Sequence, residues 1–100
     1  MAYDIILEGA TVEIRLAGEL TFAQHRKFRQ VVANIEQTTP AHVTFDLSRV
    51  EYIDAAGLGL LLVARDAVSN KGGRSALAGA QGQVGRMLAV ARFSDIFNAA

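Results

Sequence analysis

The chain has 100 residues, 51% of them hydrophobic, and its 10 lysines and arginines balance its 10 aspartates and glutamates. This length suits a single domain over residues 1–100, and the balanced charge gives no general attraction to nucleic acid or to anionic membranes. The absence of cysteine excludes disulfides and thiolate chemistry, and it removes the usual ligands of structural zinc.

No segment of the sequence has the pattern of a membrane span or of a secretory signal. The longest apolar run, Leu58 to Ala64, is interrupted only by Gly59 and is far shorter than the about 20 residues that cross a bilayer. The first residues carry no basic cluster ahead of an apolar stretch. We therefore expect a cytoplasmic protein with no direct membrane insertion.

The chain opens with two segments in which apolar residues alternate with polar ones. The first runs from Tyr3 to Leu7, and the second runs from Val12 to Leu16 after a turn at Gly9 and Ala10. This alternation predicts an antiparallel hairpin.

A helix is predicted to begin at about Phe22, after Gly18 interrupts the strand pattern. Thr21 stands where its side-chain oxygen could cap the first free amides, and Pro40 follows the end of the helix. The buried face of this helix is predicted from four residues at a spacing of three and four: Phe28, Val31, Val32 and Ile35.

The second half of the chain alternates strands and helices. A short strand over residues 43–47 runs into a connection over residues 48–53, and Asp54 then introduces a buried helix that stops at residues 70–73. A fourth strand over residues 75–78 precedes an amphipathic helix around residues 84–91. A last apolar patch contains Phe93, Ile96 and Phe97. The order β-β-α-β-α-β-α predicts an α/β domain with a mixed, mostly parallel sheet of four to five strands and helices packed on it.

Binding sites in such sheets usually lie at the carboxyl ends of the parallel strands, and the segment over residues 48–57 is one of these loops. Asp54 before an apolar helix is a good cap, because its carboxylate can accept hydrogen bonds from free amides. Gly57 and Gly59 each cost the helix about 1 kcal/mol relative to alanine. Close packing against the protein's own sheet and contact with a partner are both compatible with these glycines.

The segment from Phe45 to Leu61, with its helix start Asp54-Ala55-Ala56-Gly57-Leu58, resembles the hallmark of the STAS domain family of anti-sigma factor antagonists (anti-anti-sigma factors). Residues 16–20 also resemble the family's glycine-glutamate-leucine signature, and the element order matches along nearly the whole chain. The resemblance implies a non-catalytic bacterial signalling module without a cofactor. The implied partner is an anti-sigma factor or a histidine-kinase-like serine kinase, with a phosphatase or a scaffold as a further class.

In this family, the residue after the aspartate is usually a serine or threonine that the partner kinase phosphorylates. Here that position is Ala55, and Ala56 follows, so neither residue offers a hydroxyl. Regulation by other means, constitutive binding and engineered substitution all remain open. The resemblance implies the following partner-binding residues: Thr21, Ser48, Asp54, Ala55, Ala56, Gly57 and Leu58.

An alternative function is a constitutive STAS subunit of a transporter complex or of a signalling scaffold. A third possible function, a small-ligand sensor, rests only on analogy with the fold, and no set of residues supports it. His25 and His42 have no partners at ligand spacing, so we expect no metal site, and no serine lies in the turn that a serine hydrolase needs. The basic residues Arg26, Lys27 and Arg29 are compatible with a solvated helix face or with an acidic partner, and we do not interpret them as a nucleic-acid site.

Overall fold

The computed structural model describes the backbone of residues 1–99 and the side chains of residues 1–97. The strands are β1 (Ala2–Glu8), β2 (Thr11–Leu20), β3 (His42–Ile53), β4 (Arg74–Ala78) and β5 (Asn98–Ala99). The helices are α1 (His25–Glu36), α2 (Ala55–Asn70) and α3 (Gly82–Val90), with short 3-10 turns at Phe22–Gln24 and Phe93–Asp95.

The five strands lie side by side in the order in which they occur along the chain. β1 is antiparallel to β2, and every later neighbour pair is parallel, which confirms the mixed, mostly parallel sheet. The register places Ile14 beside Ile5 on one side and beside Phe45 on the other, and Leu77 continues the row. The three parallel connections all advance in one direction, so right-handed crossovers place their helices on the same face of the sheet.

The core lies between that face of the sheet and the helices. Alternate residues of the two central strands are fully buried, among them Ile14, Phe45 and Leu47, and they form one cluster with Phe28 of α1 and Leu61 of α2. The intervening residues Glu13, Arg15, Thr44 and Asp46 are half-buried or exposed on the other face. The parallel strands β2, β3 and β4 therefore place their carboxyl ends, and the loops that follow them, at one end of a two-layer domain.

The prediction that residues 48–53 form a connection is wrong, because they are the second half of β3. β3 contains two irregularities against β2: Leu47 and Ser48 together oppose one residue of the neighbouring strand, and the register shifts again between Val50 and Tyr52. Such bulges bend a strand and interrupt its alternation of buried and exposed side chains. The regular alternation therefore stops at Leu47 although the strand continues.

The predicted side-chain cap at Thr21 is also wrong. The Thr21 side chain makes no capping hydrogen bond, whereas its backbone carbonyl accepts one from the Gln24 amide at 2.9 Å. The chain thus forms a 3-10 turn from Phe22 before α1 begins at His25.

Other helix limits agree with the sequence. α2 begins directly after Asp54 and ends at Asn70, and Gly72 takes the left-handed conformation, with φ of 79°, that glycine allows at a helix end. Phe93 and Phe97 are buried with their rings stacked 5.7 Å apart, whereas Ile96 remains 38% exposed.

Candidate functional site at the start of helix α2

Asp54 joins the start of α2 to the turn that precedes α1. Its Oδ1 accepts a hydrogen bond from the Gly57 amide at 2.7 Å, which confirms the predicted cap. Its Oδ2 lies 3.4 Å from the amide nitrogen of Phe22, which donates to it from the other loop. One carboxylate therefore serves an amide of its own helix start and an amide 32 residues before it in the chain, and it ties together two loops at the carboxyl end of the sheet.

Gly57 is required by packing. A β-carbon at this position would overlap the carbonyl oxygen of Leu20 and would lie 2.7 Å from the Ile53 side chain. The Asp54 amide also donates to the Leu20 carbonyl, at 3.3 Å, so the end of β2 holds the chain just before α2. Gly59 differs, because a β-carbon there would meet nothing within 4 Å. Close packing explains Gly57 but leaves Gly59 unexplained.

Gln83 of α3 fixes the end of β3, a role that the sequence analysis missed. Its Oε1 accepts from the Ile53 amide at 3.0 Å, and its Nε2 donates to the Ile53 carbonyl at 2.7 Å. This side chain therefore bonds to the strand end as a neighbouring strand would. The pair is 30 residues apart in sequence, so no local pattern could have indicated it.

Five apolar or aromatic residues that are exposed or half-buried lie in the segments around this fixed backbone. Ala55 is exposed, and Ala56 and Leu58 are half-buried. Two exposed aromatic residues lie in the adjoining segments: Phe22, 71% exposed, and Tyr52, 45% exposed. These five residues are called the α2-start surface below.

Phe22 belongs to this surface but was not among the predicted site residues. Its ring stacks on His25, with centroids 6.0 Å apart and planes 24° apart. The available signal was an aromatic residue beside Thr21 that stands outside the apolar face of the following helix. Thr21 itself is half-buried and directly precedes Phe22, so it borders the α2-start surface.

Ser48 lies apart from the other predicted site residues. It is exposed in the first irregularity of β3, six positions before Asp54, and a strand of that length extends about 20 Å. Its amide donates to Asp46 Oδ1 at 2.9 Å, and the loop at Gly79 packs against it. The hydrogen bonds from Ser48 lower the pKa of the Asp46 carboxyl, and the positive charges of Arg15 and Arg49 act in the same direction.

A separate apolar cavity of about 250 Å³ lies between the end of β4, α3 and the segment that follows α3. Its lining includes Leu77, Leu88, Phe93 and Phe97, and none of the predicted site residues. Within residues 1–99, no helix is both long enough and apolar enough to cross a membrane. Over the same residues, no group of three or more histidine, aspartate and glutamate side chains is placed to hold a metal ion.

Comparison with known families decides the affiliation of the chain. The family model of the STAS domain matches residues 4–100. The chain belongs to this family. Its mixed sheet and the capped start of α2 are therefore features of a STAS domain.

Individual relatives agree with this assignment. A STAS-domain containing protein of Pseudomonas aeruginosa (strain UCBPP-PA14) is 29% identical over 90 residues, which cover 90% of this chain and 88% of that protein. The anti-sigma factor antagonist SpoIIAA in its unphosphorylated form has a TM-score of 0.80 at 23% identity, covering 99% of this chain and 88% of SpoIIAA. A sulfate transporter family protein from Wolinella succinogenes has a TM-score of 0.76 at 20% identity, covering 93% of this chain and 75% of that protein. These two structures share the fold with this STAS domain.

Proposed function

We propose that this STAS domain is a non-catalytic, cytoplasmic signalling module of the anti-sigma factor antagonist type. It binds an anti-sigma factor or a histidine-kinase-like serine kinase through the segment 54–62 and the adjoining loops. The observation that supports this most is that Ala55 is exposed at a helix start whose backbone is held by Asp54, Leu20 and Gln83. A rigid surface loses little conformational freedom on binding, so it suits recognition of a folded partner.

The glycine at position 59 agrees with a partner at this surface. Gly59 is exposed in α2 and has open space around it, although alanine there would favour the helix by about 1 kcal/mol. A partner backbone that approaches position 59 closely would require that this residue has no side chain. Gly57 needs no such explanation, because Leu20 already occupies the space.

The binding is constitutive with respect to phosphorylation at the helix start. A phosphoryl group there would add up to about two negative charges at the interface. Alanine at 55 and 56 has no hydroxyl to accept it. The domain therefore keeps the binding surface and lacks the usual switch at that position.

The experiment that tests this function measures binding and phosphorylation together. Purified histidine-kinase-like anti-sigma factors of the source bacterium are titrated with the domain in a calorimeter, and each is then incubated with it and labelled ATP. We expect one of them to bind, to leave the wild type unlabelled and to label the Ala55→Ser variant. The proposal is wrong if none of these proteins binds. The claim that the domain lacks the phosphorylation switch is wrong if the wild type is labelled.

A second candidate is a constitutive subunit of a transporter complex or of a signalling scaffold. It is favoured by the shared fold with the sulfate transporter family protein and by the absence of a hydroxyl at 55 and 56. The tagged domain, purified from its native cell, distinguishes the two candidates. Recovery of membrane ATPase subunits without any kinase would favour the second candidate and reject the first.

A further inference from the structure

Two basic residues of α1 lie at the wrong end of the helix for stability. Arg26 and Lys27 are exposed in its first turn, and that turn contains no acidic residue. The amino end of a helix carries partial positive charge, so cations there are unfavourable and anions are favourable. Glu36, in the last turn, has the opposite mismatch. The charge order of α1 therefore runs against its own dipole.

No carboxylate among residues 1–97 pairs with these two cations. Among residues 1–97, neither Arg26 nor Lys27 forms an ion pair, whereas Arg15, Arg65 and Arg92 each have a carboxylate partner. Arg29, one turn further along α1, is likewise exposed without an ion pair in that range. Within the part of the chain whose side chains are described, the amino end of α1 is thus a small positive patch with unused hydrogen-bond donors.

An exposed aromatic side chain lies directly beside this patch. Phe22 precedes α1 by three residues, and its amide is bonded to Asp54, so its backbone is anchored to the start of α2. Phe22 is 71% exposed, and its ring stacks on that of His25 along one side. Aromatic residues, phenylalanine among them, are enriched in protein interfaces, and aromatic anchors that fill a partner's pocket account for much of the binding energy.

We infer that the partner presents an apolar pocket for the Phe22 ring and that carboxylates at the rim of this pocket pair with Arg26 and Lys27. The inference rests on the proposed function, because it adds the chemistry of the partner at the same surface. Carboxylates would neutralise the two cations and would also oppose the positive end of α1. The patch consists of three basic residues, and the net charge of the chain is zero, so the patch is too small to hold a phosphate backbone or a membrane surface by itself.

The first test compares four variants by calorimetry against the anti-sigma factor that binds the wild type. Phe22→Ala should weaken binding by about 30-fold or more, and Val90→Ala, which removes another highly exposed apolar side chain, should leave it unchanged. Arg26→Glu should weaken binding about tenfold, whereas Arg86→Glu on α3 should not.

Arg26→Glu also separates a binding role from a structural one. The acidic side chain suits the amino end of α1, so the free variant should unfold at a higher urea concentration than the wild type while it binds less tightly. The inference is overturned if Phe22→Ala binds as the wild type does. It is also overturned if Arg26→Glu binds as the wild type does. A fifth variant, Ala55→Asp, then tests the proposed function separately, because loss of binding in that variant would leave the proposed function standing.

The second test does not depend on a known partner. A displayed library of random peptides is selected on the wild-type domain, with the Phe22→Ala domain as the counter-selection, and binding to vesicles of phosphatidylglycerol is measured in parallel. We expect peptides that bind the wild type but not the Phe22→Ala domain, called Phe22-dependent peptides, and that combine an apolar anchor with glutamate or aspartate. We expect no binding to the vesicles. Such peptides would support the inference even if every anti-sigma factor failed to bind. Basic peptides, no Phe22-dependent peptides, or Phe22-dependent binding to the vesicles would overturn it.

Discussion

The backbone of Gly57, in the first turn of α2, lies against the carbonyl oxygen of Leu20 at the end of β2. Gly57→Ala should therefore destabilise the domain by about 2 kcal/mol, because the new methyl group overlaps backbone atoms that cannot rotate away. Gly59→Ala is the matched control two residues later, where a β-carbon meets nothing. It should stabilise the domain by up to about 1 kcal/mol through helix propensity. Urea unfolding of both variants measures the difference, and equal effects would contradict the contact.

Asp54 should contribute to stability through its two amide partners. Asp54→Ala removes the bonds to Gly57 and Phe22 and should lower the free energy of unfolding by about 1–2 kcal/mol. Asp54→Asn keeps an oxygen acceptor at the cap and should lose less. Urea unfolding ranks the three proteins, and an alanine variant as stable as the wild type would show that the cap contributes nothing.

Gln83 should protect the end of β3 from opening. Gln83→Ala leaves the amide and the carbonyl of Ile53 without their partners, so unfolding should become easier by about 1–2 kcal/mol. Hydrogen exchange at the Ile53 amide should accelerate. Gln81→Ala is the control, because Gln81 is exposed and its side chain does not cap α3. Unchanged exchange at Ile53 in the Gln83 variant would refute this role.

Asp46 gives the domain a small dependence of stability on acid. Its pKa is lowered in the folded state by the hydrogen bonds from Ser48, so its contribution is complete above the pKa of the unfolded chain. The contribution is lost as the pH falls below that value and through the folded pKa. Because the side chain is only partly buried, we expect a small loss of unfolding free energy as the pH falls through the range in which the aspartate of the unfolded chain titrates, at about pH 3.9. Asp46→Asn should remove this part of the slope of unfolding free energy against pH, and an identical slope would contradict the assignment.

Local signals in the sequence were sufficient for much of this fold. Alternation identified the hairpin, Asp54 identified the start of α2, and Gly72 marked its end, because each signal depends on neighbouring residues. β3 was predicted too short because of its two bulges. Ser48 and Tyr52 are each exposed together with a neighbouring residue, so the regular alternation of buried and exposed side chains is lost.

The candidate site was predictable only in part. The motif indicated the helix start, and the cost of glycine in a helix indicated that Gly57 needed a neighbour, but only the structure identifies that neighbour as Leu20. The hydrogen bonds of Gln83 and the exposure of Phe22 depend on how distant segments pack. Thr21 is the opposite case, in which a local signal misled the prediction. Its side chain is suited to capping a helix, but it makes no capping hydrogen bond because a 3-10 turn follows it.

The central claim is that the start of α2 is the partner-binding surface and that Ala55 lies within it. Calorimetric titration of the anti-sigma factor that binds the wild type with the Ala55→Asp variant tests it most directly. The control is Ala41→Asp, because Ala41 is exposed just before β3, at the end of that strand far from α2. The new carboxylate suits a helix start, so the fold should be kept while the charge at the interface weakens binding by about 30-fold or more. The account predicts that loss for Ala55→Asp alone. Wild-type affinity in the Ala55→Asp variant would contradict it.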